Sequence, residues 1–581
     1  MERRRELDFA GPAPSRRSLT SFILSLLLVC GWAALAAPQT TSSSIQPADR
    51  ARQLFAEQRW QEIVSMGESE HLPSADFDFY YGSALAQLGR WDDARKAFAA
   101  GARLQPGDKR FPLELAGVSF KQKQYAQAAH YLRRALRLDP HDLYGNDFLG
   151  TVYFLQGNLE AGLKYWNRVK KPLIAEVKSK PAPKIDPALL DHAFAFAPSS
   201  ELLLSDLRTS GLRVAGLGIF PSYRFDLQAR DDGSFDILFR NRERDGWGQD
   251  KWERLFLLLR GLPFLSINPD VYNLRHQAIN FVSMYRWDAE KRRLYAQLSE
   301  PLKTNPKFRI GLLADLRGEN WDIRDSFQGP APLLGSFNMR REAVAANFAA
   351  FESGRWQWSA GAEISHRDFR SIIPGPALNA SLLAKGYQAK QSAQVDAELW
   401  HVPERRMTLQ GGLSSQAGRI WSQPSQWFEK LQGSLRFHWF PQAEGDDYEV
   451  QHSVRAGKTW GEVPFDELFM LGVERDNDLW MRGHVGTRNG RKGSAPLGRN
   501  YVLSNWEADK KVYGNGIFTL KLGPFVDTGK ITDPSPGLGS QKWLWDVGAQ
   551  AKVRVFGVPV VFSYGKDLLS GNDAFYVSMP R

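Results

Sequence analysis

The sequence contains very little cysteine, with a single residue, Cys30, among its 581 residues. Cys30 lies in an apolar N-terminal segment, and the chain beyond that segment has no cysteine. A mature chain without cysteine can form no disulfide bond and offers no thiol nucleophile. Thiol catalysis and disulfide scaffolds are therefore excluded for the mature protein.

Long apolar runs are also scarce, because none after residue 36 is long enough to cross a membrane as a helix. Such a chain enters a membrane only as a closed β-barrel, since only helices and barrels satisfy their backbone groups in lipid. The 19 Trp, 35 Phe and 50 Gly residues fit a barrel. The net charge of +11 is spread along the chain, so we expect outer-membrane lipid as a partner and no nucleic acid.

Catalytic motifs are missing as well. The sequence has no H-E-x-x-H zinc motif, no G-x-S-x-G nucleophile motif and no phosphate-binding loop. Its histidines are scattered, and His438 between two aromatic residues fits a barrel lumen better than a metal site. We therefore expect a protein that is not an enzyme, with no catalytic residue, cofactor or metal.

The N-terminal segment has the features of a secretory signal peptide. Two arginines precede an apolar run that ends in the small-x-small pattern Ala34-Leu35-Ala36. Residues 1–36 are therefore predicted to be a signal peptide. The alternative is an N-terminal membrane anchor, but the run is short for a span and Gly31 interrupts it.

A repeat with a period of 34 residues follows. Pro106 recurs as Pro140, and Ala94 recurs as Ala128. This pattern resembles the tetratricopeptide repeat, whose small residues let paired helices pack closely and which binds partner proteins. Residues 45–175 are therefore predicted to be helical repeats, with an unrelated helical bundle as the alternative. The positions assigned to repeat packing are Gly82, Ala94, Phe98, Pro106, Ala128, Pro140, Gly150 and Tyr153.

Residues 171–187 combine lysines with prolines, among them Pro172, Pro181 and Pro183, which is typical of a stiff, solvated linker. A leucine-rich helical segment and two alternating strands around an Asp232-Gly233 turn come next. This order resembles the last half of a POTRA domain, the periplasmic module of outer-membrane transporters. We assign 176–245 to a linker and POTRA-like module, with an ordinary α+β linker domain as the alternative.

From residue 250 to 581, apolar and polar residues alternate with a period of two. A soluble sandwich would alternate too, but strands of about ten residues rich in Ala and Gly favour a membrane barrel. We therefore predict a multidomain α + β protein whose C-terminal part is a transmembrane antiparallel β-barrel of about 16 strands. Trp356 and Trp358 should face lipid, and Lys552 and Arg554 should face the lumen.

Five ordered motifs in the last 120 residues carry a family signature. They are Pro464-Phe465-Asp466-Glu467-Leu468-Phe469-Met470-Leu471-Gly472, Met481-Arg482-Gly483-His484, Asn505-Trp506-Glu507, Gly523-Pro524-Phe525-Val526-Asp527-Thr528-Gly529 and Val555-Phe556-Gly557-Val558-Pro559-Val560-Val561-Phe562-Ser563-Tyr564-Gly565. This order resembles the bacterial surface-antigen superfamily of outer-membrane β-barrels, which includes barrel-assembly proteins and two-partner secretion transporters.

The resemblance implies a long extracellular loop that folds back inside the barrel, with Arg482-Gly483 at its tip. It also implies that Asp527 holds Arg482, and a bidentate arginine–carboxylate pair fixes orientation as well as energy. The implied barrel-wall partner motif consists of Gly523, Phe525, Asp527 and Gly529. The alternative is that Arg482 lies in a solvated loop and Asp527 is one lumen carboxylate among many.

Two departures from the family pattern stand out. His484 replaces the aromatic residue that usually follows Arg-Gly, and the chain ends without a terminal aromatic residue. The second departure leaves open how the barrel is recognised for insertion.

These features predict a bacterial outer-membrane protein that inserts or secretes client proteins, with an N-terminal region in the periplasm that binds a client or partner. The alternative is an exopolysaccharide export porin, because tetratricopeptide arms fused to 16-stranded barrels also serve that role. A barrel with a binding arm and no transport function is a third possibility.

Overall fold

The structure is a computed structural model that describes residues 46–69, 74–248, 250–325, 332–376, 378–379, 381–442, 445–515 and 517–579. The predicted signal peptide, 1–36, lies outside the described residues. No helix in the described part of the chain is long and apolar enough to span a membrane.

The N-terminal part consists of antiparallel helices in pairs. These are α1 (Pro47–Ala56), α2 (Trp60–Ser69), α3 (Ala75–Gln87), α4 (Trp91–Leu104), α5 (Arg110–Lys121), α6 (Tyr125–Leu138), α7 (Leu143–Leu155) and α8 (Leu159–Trp166). The side chains of Ser74, Asp142 and Asn158 accept hydrogen bonds from free backbone N–H groups at the starts of α3, α7 and α8. These caps set where the helices begin.

Small residues let the paired helices approach closely. A Cβ atom on Gly82 would lie 2.7 Å from the ring of Phe98, and one on Gly150 would lie 2.4 Å from the ring of Trp166. The remaining packing positions inside the arm are fully or almost fully buried: Ala94, Phe98, Ala128 and Tyr153. The assigned prolines differ, because Pro106 and Pro140 lie exposed just after α4 and α6, where a proline cannot continue a helix.

A small α/β unit follows the helical arm. It contains β1 (Ile174–Lys180), α9 (Pro187–Ala193), α10 (Leu204–Gly216), β2 (Ser222–Ala229) and β3 (Phe235–Arg242). Its sheet has the order β1-β3-β2, in which β3 pairs in parallel with β1 and antiparallel with β2. Strand β2 is therefore an edge strand.

The prediction of a solvated linker over 171–187 is wrong, because most of this segment belongs to the α/β unit. Ile174 is buried, and the lysines of β1 alternate onto its exposed face. The Nζ atom of Lys178 lies 2.7 Å from the carboxylate of Asp236 on β3. The prolines that suggested a linker thus lie on both sides of β1, and the lysines lie on its exposed face or beside it.

The C-terminal part begins with α11 (Lys251–Leu259) and continues as an antiparallel meander. Its strands are β4 (Ser266–Ile267), β5 (Val271–Leu274), β6 (Ile279–Trp287), β7 (Lys291–Leu302), β8 (Asn305–Arg324), β9 (Leu333–Ser353), β10 (Trp356–Ile373), β11 (Gly386–Val402), β12 (Met407–Trp421), β13 (Gln426–Trp439) and β14 (Tyr448–Gly461). A long loop then contains β15 (Phe469–Met470), β16 (Thr487–Arg488), β17 (Arg491–Lys492) and β18 (Leu497–Gly498). The meander ends with β19 (Asn500–Gly514), β20 (Phe518–Thr532), β21 (Leu544–Val555), β22 (Val558–Asp567) and β23 (Asp573–Ser578).

The meander is arranged as a barrel. Backbone ladders join each strand from β6 to β14 to the next, β14 pairs directly with β19, and the ladders continue to β23. Strands β4 and β5 both pair with β6 and share one position, so the described strands occupy fifteen positions, close to the expected 16. The first and last positions are neighbours in the strand order, yet no ladder joins 266–274 to 573–578 in the described chain.

The two faces of the barrel have opposite chemistry. On the outer face, Leu312, Val344 and Ile364 are 59%, 63% and 66% exposed, and Trp356 lies on the same face as Ile364. On the inner face, Asp315 and Glu319 are almost completely buried. An apolar exterior around a charged interior is the arrangement of a transmembrane barrel.

Lys552 and the two tryptophans lie on the faces that the alternation predicts. Lys552 contacts the inward carboxylates of Glu507 and Asp509, and Arg554 has the same strand parity. Trp358 shares the outward parity of Trp356.

Candidate functional site

The loop from 462 to 499 starts at the barrel end that lies away from the helical arm. The turn between β11 and β12 contacts the arm, because the side-chain amide of Asn158 donates to the carbonyl of Pro403 at 2.8 Å. Strand direction alternates along the meander, so β14 ends at the opposite rim. The loop thus enters the lumen from the far side.

Ion pairs fix this loop against the inner wall. Lys492 lies 2.7 Å from Glu319 on β8, and Glu467 lies 2.7 Å from Lys390 on β11. These contacts involve buried groups that require partners. Backbone pairing between Lys492 and Trp321 adds a short parallel contact with β8.

Apolar contacts fill the space between the loop and the wall. The ring of Phe465 lies 4.9 Å from that of Trp321 and 4.8 Å from that of Phe337, both nearly perpendicular to it. A second apolar cluster joins the loop residues Leu471 and Met481 to the wall. The loop is therefore a plug that packs against the inner wall of the barrel, and not a loosely held segment in a water-filled channel.

The structure brings Arg482 and Asp527 together inside the barrel. The Nε atom of Arg482 donates to one oxygen of Asp527 at 2.8 Å, and a terminal nitrogen donates to the other at 2.5 Å. The second terminal nitrogen donates to Glu507 at 2.6 Å and to Gln550 at 2.7 Å. Arg482 is 1% exposed and Asp527 is fully buried, so this bidentate pair is shielded from solvent.

Phe525 and the motif glycines shape the pocket for Arg482. The guanidinium carbon lies 3.8 Å from the centre of the Phe525 ring, which places the cation over the aromatic face. A Cβ atom on Gly523 would lie 2.1 Å from the carbonyl oxygen of Ala508, and one on Gly529 would lie 2.9 Å from that of Val502. The two glycines therefore permit close approach of β20 to β19.

Gly483 allows the loop tip to touch the barrel wall. Its backbone N–H donates to Asp546 at 2.6 Å. A Cβ atom at this position would lie 2.7 Å from the same carboxylate and 2.8 Å from the backbone nitrogen of Asp567. The close contact leaves no room for a side chain.

Sequence reasoning missed two wall residues of this site, Asp546 and Asp567, and named Asn505 only as part of a family motif. Asn505, Asp527, Asp546 and Asp567 form one row across β19 to β22, because each is the direct register partner of the next. Asn505 donates to Asp527 at 2.7 Å, and the Nδ1 atom of His484 lies 3.1 Å from Asp546. Only strand register reveals this row, since the four residues are 19 to 22 positions apart in the sequence.

Residues 56–109 and 113–172 match the family model of the tetratricopeptide repeat. Helices α2 to α8, which lie in this region, are therefore tetratricopeptide repeats. No curated protein matches the sequence.

Among solved structures, the chain is similar to BamA from Haemophilus ducreyi lacking POTRA domains 1–3, with 12% identity and a TM-score of 0.40 over 70% of this chain and 82% of that one. It is also similar to CdiB from Escherichia coli, with 13% identity and a TM-score of 0.46 over 70% and 75% of the two chains. For CdiB from Acinetobacter baumannii, the identity is 10% and the TM-score 0.39 over 71% and 78%.

Proposed function

We propose that this protein is a non-enzymatic outer-membrane transporter that inserts or secretes client proteins. The observation that carries the proposal is the plug loop, which Arg482 clamps to Asp527 inside a barrel with an apolar exterior. A buried bidentate pair holds the loop in one conformation. A client that breaks this pair can shift the loop to a second conformation. The loop is thus the element that would change during transport.

The filled lumen favours a protein transporter over the alternative, an exopolysaccharide export porin. A porin needs an open polar conduit through its barrel. Here the aromatic ring of Phe465 and the ion pair of Lys492 with Glu319 occupy the interior instead. A porin would have to expel this packed loop before a polymer could pass.

In this proposal, 1–36 directs export and the N-terminal region lies in the periplasm. The α/β unit would serve as the POTRA-like module, since its α10 helix is followed by the β2–β3 hairpin. Strand β2 pairs on one side with β3 and leaves its other edge for an extended client. The helical repeats would bind a client or a partner protein.

Both periplasmic parts would be held at the barrel rim. Lys164 and Tyr165 on α8 contact Glu404 on the β11–β12 turn at 2.7 Å and 2.8 Å. The carbonyl of Leu217, after α10, accepts hydrogen bonds from Asn280 at 3.0 Å and from Arg309 at 2.8 Å. A client bound to either part would thus be delivered close to the barrel.

Depletion of the protein from its host tests the proposal. We expect a specific set of surface or outer-membrane proteins to disappear, because their transporter is missing, while exopolysaccharide stays unchanged. Quantitative proteomics of the outer membrane beside a polysaccharide assay measures both. An unaltered proteome with lost polysaccharide would instead support the porin.

A further inference from the structure

The loop tip and the barrel wall form a buried cluster of metal-ligand type. His484, Asp546 and Asp567 each offer one donor atom, and these atoms lie within 4.8 Å of one another. The Nδ1 atom of His484 lies 3.1 Å from Asp546, and its Nε2 atom lies 3.7 Å from Asp567. All three side chains are at most 2% exposed.

The cluster belongs to a network with an excess of negative charge. In the described chain, Arg482 at the loop tip contacts the carboxylates of Glu507 and Asp527. His484, also at the tip, contacts those of Asp546 and Asp567. Lys552 contacts the carboxylate of Asp509. The permanent cations of this network are Arg482 and Lys552. Buried carboxylates without compensating charge are costly, so the site favours an additional cation.

One oxygen of the cluster has no hydrogen-bond partner among the described residues. The Oδ2 atom of Asp546 accepts from the N–H of Gly483, but its Oδ1 atom is buried without a partner. This oxygen faces the loop tip, because it lies 2.7 Å from the position of a Cβ atom on Gly483. A buried carboxylate oxygen of this kind requires a donor or a metal ion.

We propose that His484, Asp546 and Asp567 bind a divalent metal ion of the zinc type. One imidazole and two carboxylates match the ligand preferences of Zn²⁺, whereas Ca²⁺ and Mg²⁺ prefer oxygen ligands alone. The ring nitrogen that does not bind the ion can remain hydrogen-bonded to a carboxylate, which fixes the ring. The ion brings two positive charges, whereas protonation of His484 would bring one.

The metal would join the loop tip to β21 and β22. Arg482 already ties the same tip to Asp527 on β20. Metal availability would thus regulate the loop, which is a property beyond transport itself. The metal site is inferred from the local geometry alone.

Zinc binding by the purified full-length protein in detergent tests this inference. After treatment with a chelator, the protein is titrated with Zn²⁺ against a competing indicator, and retained zinc is counted by elemental analysis. We expect one zinc ion per chain and affinity at least tenfold lower in Asp567→Asn and His484→Phe. His438→Gln is the matched control, because His438 contacts Glu449 in another part of the barrel and should bind zinc as the wild type does.

The folded state of each variant is checked by its resistance to heat in detergent. Folded His484→Phe and Asp567→Asn proteins that bind zinc as tightly as the wild type would overturn the inference. A wild-type protein that retains no zinc, or that takes up Ca²⁺ equally well, would do the same. None of these results depends on transport. The proposed function can therefore be wrong while the metal site is confirmed, and the metal site can be wrong while the proposed function is confirmed.

Discussion

Arg482 owes its position to four different partners. Asp527 accepts hydrogen bonds from two nitrogens of its guanidinium, and Phe525 lies under its face. Glu507 and Gln550 both accept from the third nitrogen. A lysine could keep a charge in this place but could not supply the bidentate fork or the planar stacking. The site therefore selects arginine specifically.

Gly483 offers a test of how tightly the loop tip is held. In Gly483→Ala, the new Cβ atom would meet Asp546 and the backbone of Asp567, and the tip would be displaced at a cost of about 1–3 kcal/mol. Arg482 would then become accessible, so we expect trypsin to cut after it in the folded barrel, as detected by mass spectrometry. Wild-type Arg482 is 1% exposed and should resist.

Gly433→Ala is the control for this variant, because a Cβ atom at Gly433 meets nothing within 4 Å. It should remain resistant to trypsin at Arg482. Equal resistance of Gly483→Ala would mean that the tip is not held by this close contact.

The pairing of Arg482 with Asp527 could be anticipated from the sequence only because the motifs around both residues resemble a known family. Asp546 and Asp567 carry no such signal. Their role depends on strand register, which places residues from separate hairpins side by side. Local patterns cannot specify register of this kind.

Among the secondary-structure elements, the long strands were the most predictable. A period of two marks a strand wherever one face is apolar, and β8 and β10 keep this alternation over most of their length. Strand β1 was missed because prolines lie on both sides of it and lysines cover its exposed face. Its pairing with β3, more than fifty residues away, makes it a strand.

The attachment of helix α8 to the barrel rim gives a prediction for one element. Glu404, only 10% exposed at its side chain, contacts Lys164 and Tyr165. Glu404→Ala should remove about 1–2 kcal/mol of local stability, which corresponds to about 5- to 30-fold faster hydrogen exchange of the α8 amides. Hydrogen-exchange mass spectrometry of the full chain measures the effect.

Arg405→Ala is the matched change on the same turn, because Arg405 is exposed to solvent. It should leave the exchange of α8 unchanged. If both variants exchange alike, the contact with Glu404 does not hold the arm.

At the scale of the whole molecule, three parts meet around the barrel. The repeats contact one rim turn through α8, the α/β unit contacts β6 and β8 through Leu217, and the plug enters from the far side. A client bound beneath the barrel would therefore lie opposite the rim where the loop enters. In the proposed function, transport would require the loop to move, and the clamp at Arg482 would control that movement.

The most direct test replaces the chromosomal copy with Arg482→Ala and measures export of the client proteins identified by depletion. The change leaves Asp527 without a cation in a buried site, which costs about 1–3 kcal/mol, while the backbone ladders of the barrel remain. We expect normal amounts of the barrel in the outer membrane but a clear loss of client export. Arg455→Ala serves as the control, because its partner Asp478 is 90% exposed and that contact contributes little. Normal client export in Arg482→Ala, with the barrel correctly inserted, would contradict the account.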